Sequence, residues 1–146
     1  MDESSDRLAL TDLLLEYCRL LDENDPDGVA ELFSEDCVVE LADDPDGTTR
    51  GREEMRRRLP ERYSRFAATS HHLSNVQIEF EGSDRARALS YVYAWHRFAN
   101  GAEGEIWGRY QDLFQRTPQG WRIHRRRLRV AGARNFDRRW YPVERG

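Results

Sequence analysis

Apolar residues are spaced in two ways along this chain, and the change from one to the other divides it into helices and strands. Leu10, Leu13, Leu14, Tyr17, Cys18 and Leu21 recur at helical intervals and draw a single stripe. Ser4, Ser5 and Asp6 offer caps before it, and Asp22-Glu23-Asn24 continues it poorly. Asp25-Pro26 reads as a cap followed by proline in the first helical position, opening a short helix that contains Val29, Leu32 and Phe33. Residues 37–41 form a strand-like run, and Asp44-Pro45-Asp46-Gly47 is a turn signal within a polar loop. Residues 52–63 are helical in pattern, with Met55 and Leu59 apolar and Pro60 ending or kinking the segment. From His71 the period becomes two. Val76, Ile78 and Phe80 alternate with polar residues up to a turn at Gly82, and three further strands, over residues 87–98, 105–116 and 121–130, follow tight turns. Helices first and then a four-stranded antiparallel meander make an α+β fold, with N-terminal helices laid on a curved antiparallel sheet and enclosing a pocket. No repeat or linker divides residues 1–146, so a single domain is expected.

Composition narrows the chemistry. The chain has 146 residues, with 23 basic against 27 acidic side chains and a net charge of −4; every basic residue is arginine. Without lysine there is no Schiff base, no pyridoxal-phosphate attachment and no P-loop. Cys18 and Cys37 are too few for a disulfide framework or a four-thiolate zinc site. The acidic balance argues against nucleic-acid binding. An acidic start and the lack of a membrane-length apolar run lead us to expect a cytoplasmic protein that does not bind membranes. No nucleophile motif and no metal-ligand spacing is present, so neither cofactor nor metal is expected.

Carboxylate and imidazole chemistry remains. Asp22 follows Cys18 by four positions and so stands beside the apolar stripe, at a helix end where its charge is disfavoured. The plain alternative is a solvated helix end among Glu23, Asp25 and Asp27. His71 and His72 face opposite ways on a strand, and simple alternation with Val76, Ile78 and Phe80 sends His72 inward unless a bulge shifts the register. His96 shares a strand face with Ala86, Ala88, Ser90, Val92 and Ala94, while Tyr91, Tyr93 and Trp95 take the other. Small residues in a row leave room for a ligand beside the histidine, or simply let a helix approach. An aspartate that orients an imidazole makes it a base near neutral pH, and a second histidine, or a tyrosine such as Tyr17, holds or protonates a leaving group. Within the basic run of residues 121–129, Arg127 and Arg129 are candidates to hold an anion, whereas Arg56, Arg57 and Arg58 read as a solvated helix face. Trp95, Trp107, Tyr110 and Phe114 point to a hydrophobic, polycyclic or polyketide-like substrate. The exposed aromatic sheet face predicts a homodimer or homotrimer. Residues 136–142, with Trp140 and Tyr141, read as a lid.

Residues 13–33 (LLLEYCRLLDENDPDGVAELF), 34–41 (SEDCVVEL), 69–79 (TSHHLSNVQIE) and 108–122 (GRYQDLFQRTPQGWR) resemble the SnoaL-like family of the nuclear-transport-factor-2-like superfamily, whose members are cone-shaped α+β barrels. The resemblance extends to scytalone dehydratase, bile acid dehydratases and hexachlorocyclohexane dehydrochlorinase. It implies that Asp22 pairs with His71 rather than His72, that His96 is a second active-site histidine, and that Tyr17 assists. His72, Trp95, Trp107, Tyr110 and Arg127 are then expected to bind substrate. The implied activity is that of a cofactor-independent lyase or isomerase of dehydratase or cyclase type. Two alternatives stand beside it, a non-catalytic binding protein of the same fold and a small structural subunit of a ring-hydroxylating dioxygenase. The chain departs from scytalone dehydratase in having Leu21 where that enzyme has a tyrosine, and in lacking a tyrosine in residues 37–41, so substrate identity does not transfer.

Overall fold

In the computed structural model, which describes residues 2–41, 44–136 and 143–146, the first apolar stripe becomes helix α1 (Glu3–Asp22). Asp2 caps it by accepting from the Ser4 amide. Leu10, Leu14, Tyr17, Cys18 and Leu21 are buried, and Leu13 lies at the margin of the buried face. Fully burying a leucine of this kind contributes about 2–3 kcal/mol, which docks the helix far more firmly than its propensity does. Asn24, at φ 57°, takes the left-handed conformation that ends α1 just after Asp22. At its other end, the buried Asp6 carboxylate accepts from Trp121 Nε1 at 3.0 Å and from Arg116 Nη2 at 2.5 Å. These hydrogen bonds and the Arg116 charge hold the Asp6 carboxyl below its ordinary range, against the effect of burial. Helix α2 (Pro26–Glu31) follows, capped by Asp25 with proline in its first turn.

Strands β1 (Phe33–Leu41) and β2 (Thr48–Arg50) come next, then helix α3 (Arg52–Tyr63), which runs through Pro60. Four long strands complete the chain: β3 (Phe66–Phe80), β4 (Arg85–Phe98), β5 (Glu103–Thr117) and β6 (Gly120–Arg134). The α+β class and the helix-covered curved sheet are as expected. The sheet itself is larger than the meander. It has six strands in the order β2-β1-β6-β5-β4-β3 and is mixed, because β1 lies parallel to β6. It does not close. The expected antiparallel sheet is corrected here, and the reason is that a parallel partner is reached only through a long crossover, which short-range patterning does not report. Strand β1 also begins earlier than its apolar run, with a register shift between Phe33 and Val38.

The inner face of β4 carries Ala86, Ala88, Ser90, Val92, Ala94 and His96, all buried. Opposite them on β5 stand Gly104, Ile106, Gly108, Tyr110, Asp112 and Phe114. Small side chains here leave space between the sheet and the helices unfilled. Gly104 is one place where a side chain is excluded: a Cβ there would meet the Phe136 ring at 2.7 Å. Among the described residues, no helix is long and apolar enough to cross a membrane.

Candidate active site

Asp22, the last residue of α1, lies against β3, and its carboxylate gathers three donors. Oδ1 accepts from the Thr69 hydroxyl at 2.8 Å and lies 2.7 Å from His71 Nδ1. Oδ2 accepts from the His71 backbone N–H at 2.9 Å. Burial works to raise this carboxyl, but the hydrogen bonds from His71 and Thr69 and the His71 charge outweigh it and hold it below the usual carboxylate range. An ionised Asp22 fixes the proton of His71 on Nδ1 and leaves Nε2 as the basic nitrogen. The His71 side chain is 4% exposed, so the imidazole sits in the cavity wall and not on the surface.

The inward member of the histidine pair is therefore His71. His71 pairs with Ala94 on the inner face of β4, while His72 pairs with Tyr93 on the outer face. A register shift between Ser74 and Gln77, with Asn75 at φ 52°, breaks the alternation that would have carried His72 inward from Val76. His72 lies outside the cavity, its Nε2 2.8 Å from the Ser70 hydroxyl and its ring against Tyr93.

The cavity encloses about 470 Å³, within the range typical of small-molecule sites. Val92, Ala94, Ile106 and Leu128 form its apolar floor, with Phe66 and Phe136 at one side. Tyr17 and Tyr110 line it, their rings edge to face at 5.8 Å. Burial raises the hydroxyl pKa of both tyrosines, against the pull of the Arg126 charge, so each stays a protonated donor. His96 stands 5.8 Å from His71, ring centre to ring centre. Burial, with a smaller electrostatic contribution from neighbouring His71, pushes His96 down to about 4, and its Nδ1 is buried with no hydrogen-bond partner among the described residues. This histidine is neutral at physiological pH and holds an unused polar atom beside the cavity.

The state of His96 has a measurable consequence. Its native value of about 4 lies below the ordinary 6.5, so as pH falls the unfolded chain takes up this proton first. Stability should be full above pH 6.5 and fall by roughly 3 kcal/mol as pH drops to 4. Substituting His96→Gln should flatten the melting temperature against pH in that window; an undiminished slope would show that His96 is not its source.

Other residues expected at the site lie elsewhere. Trp95 and Trp107 are on the outer face of the sheet, where Trp95 Nε1 donates to Glu103 and Trp107 is 38% exposed. Alternation along β4 had already set Trp95 opposite His96. Arg127 borders an outer hollow with Glu40 and Leu113. Its neighbour Arg126 turns inward instead, because the β5–β6 register shifts between Leu113 and Phe114 and strands His124 as an extra residue. Arg126 grips Asp112 through Nε and Nη2 at 2.7 and 2.9 Å, and its guanidinium lies over the rings of Tyr17 and Tyr110 at 4.2 and 3.9 Å. Burial opposes that charge, but Asp112 overrides it and Arg126 remains protonated. Of the expected lid, Phe136 packs on His96 at 4.9 Å and on Phe66 at 6.2 Å; Trp140 and Tyr141 lie outside the described residues. Sequence reasoning missed Arg62, Tyr63, Phe66 and Thr69. Tyr63 was findable, since it continues the Met55–Leu59 spacing by one more turn.

A SnoaL-like domain model matches residues 2–127. An uncharacterized protein of Mycobacterium tuberculosis is 30% identical over 129 residues, covering 85% of this chain and 84% of its own. The structure of a scytalone dehydratase-like protein from Novosphingobium aromaticivorans is similar with a TM-score of 0.87 at 30% identity, over 98% of this chain and 99% of that one. Hexachlorocyclohexane dehydrochlorinase LinA-type3 from Novosphingobium barchaimii gives a TM-score of 0.79 over 97% and 99%, at 17% identity, a likeness of fold alone. On the extent of the domain match and of these alignments, the chain belongs to the SnoaL-like family.

Proposed function

We propose that the protein is a cofactor-independent lyase or isomerase, of dehydratase or cyclase type, acting on a small hydrophobic molecule. The observation that carries this reading is the 2.7 Å contact between Asp22 and His71 Nδ1, made by a buried imidazole that keeps Nε2 for the cavity. His71 Nε2 takes a proton from carbon next to a carbonyl, and the C–H electron pair moves into an enolate. The imidazolium, stabilised by Asp22, then returns that proton to the departing β-hydroxyl; water leaves, and the enzyme is restored. In a cyclase or isomerase the proton returns to another atom of the substrate. Tyr17 donates to the developing oxyanion. His96, held neutral, positions oxygen and is too weak an acid in that state to drive its departure. Trp107 and Leu113, exposed on the outer face, support the expected dimer or trimer.

A panel of β-hydroxy ketones and thioesters with one to three rings tests the proposal. Conjugated product, or exchange of the α-hydrogen with solvent deuterium, should appear with protein alone. Compounds that enter the cavity but show neither would make this a binding protein.

A further inference from the structure

Three arginines reach the cavity from α3 and the turn after it, and two of them are engaged. Arg58 donates to the carbonyls of Asp46 and Thr48 and reaches the Thr49 hydroxyl. Arg65 lies over the faces of Phe66 at 4.8 Å and Phe136 at 5.6 Å. Arg62 is half-buried in the cavity wall, and no carboxylate, carbonyl or hydroxyl among the described residues accepts a hydrogen bond from it. Asp44 attracts it only from beyond ion-pair distance, while its own carboxylate accepts the Asp46 amide. Burial and the like charge of Arg58 push the Arg62 guanidinium below its ordinary value. A partly desolvated, uncompensated charge is costly to a fold. Such costs persist where a ligand supplies the missing partner.

We propose that Arg62 is the anion-binding residue of the cavity and that the substrate carries a carboxylate, gripped by the guanidinium. The inference rests on the cavity being a substrate site and names the chemical class that site accepts. A planar fork with five donors fits a carboxylate through two parallel hydrogen bonds. Asp44, Asp46 and Glu61 also line the cavity and repel a phosphate dianion more strongly than a singly charged carboxylate. Val92, Ala94, Ile106 and Leu128 give the cavity an apolar floor, with Phe66 and Phe136 at its side, so the body of the molecule is hydrophobic and the acid is its charged handle.

Calorimetric titration of the wild-type chain with matched pairs tests this: cyclohexanecarboxylate, 2-naphthoate and 9-anthroate, each against the corresponding primary alcohol. In at least one pair the acid should bind tenfold or more tightly than the alcohol. Arg62→Gln should abolish that preference, with Arg62→Met as the second variant and the melting temperature reporting that each folds. Asp22→Asn should keep it, which separates failure of the catalytic reading from failure of this one. Equal affinity within every pair, binding by none of the acids, or a preference that survives in the Arg62 variants overturns the proposal.

Discussion

Turnover by Asp22→Asn is expected to fall about 10³-fold or more, with the fold retained. The amide is nearly the same size but cannot do the same work. Asp22 meets three donors with two oxygens, whereas asparagine has one oxygen and an NH₂. If the oxygen keeps the His71 ring and Thr69, the NH₂ faces the His71 backbone N–H, donor against donor. Flipping the amide satisfies the backbone but forces His71 to turn its lone pair toward the NH₂, which puts the proton on Nε2 and removes the base. Loss of tautomer control in an aspartate–histidine pair costs about 10⁴-fold in the best-studied hydrolase triad, and this pair is asked for the same service. His71→Ala should be at least as damaging. Initial rates on whichever panel compound the wild type converts provide the test, with circular dichroism melts as the control. A folded Asp22→Asn protein with more than a tenth of the wild-type rate would rule out the dyad.

The second large effect is on stability. Arg126→Met should destabilise the chain by about 3–5 kcal/mol, because it strands the fully buried Asp112 carboxylate without its counter-charge. The loss extends to the guanidinium faces over Tyr17 and Tyr110, so those rings lose a packing partner as well as a charge. Removing both members should be much milder: Arg126→Met with Asp112→Leu leaves no unpaired ion, and such swaps are often neutral or better. Urea denaturation of the two single variants and the double variant at pH 7 decides the matter. A single Arg126→Met variant as stable as wild type would mean that the pair adds nothing.

The chain's pattern exposes some of this architecture and hides the rest for identifiable reasons. The stripe from Leu10 to Leu21 announces α1, and Asp22 at its edge is visible because an acid there runs against both the stripe and the helix dipole. The small face of β4 places His96 and the space beside it. Direction was lost wherever a strand carried one extra residue. The irregularity between Ser74 and Gln77 inverts the two histidines, and the one at His124 exchanges Arg126 for Arg127. Bulges depend on the partner strand, so a one-strand pattern does not contain them. The parallel β1–β6 pair was hidden for the same reason at longer range. Arg56, Arg57 and Arg58 of α3 read as a solvated face because charges outnumber Met55 and Leu59 there, although Arg58, Arg62 and Tyr63 border the cavity.

The two carboxylate anchors of α1 make that helix a ruler. Asp6 is fastened to Trp121 and Arg116 at one end and Asp22 to Thr69 and His71 at the other. Sixteen residues (22 − 6) separate them, which at a rise of about 1.5 Å each sets a span of about 24 Å. One residue more or fewer within the helix would advance the second anchor by about 1.5 Å and swing it through about 100°, taking the Asp22 carboxylate off β3 altogether. The segment between Asp6 and Asp22 therefore has a length fixed to the residue.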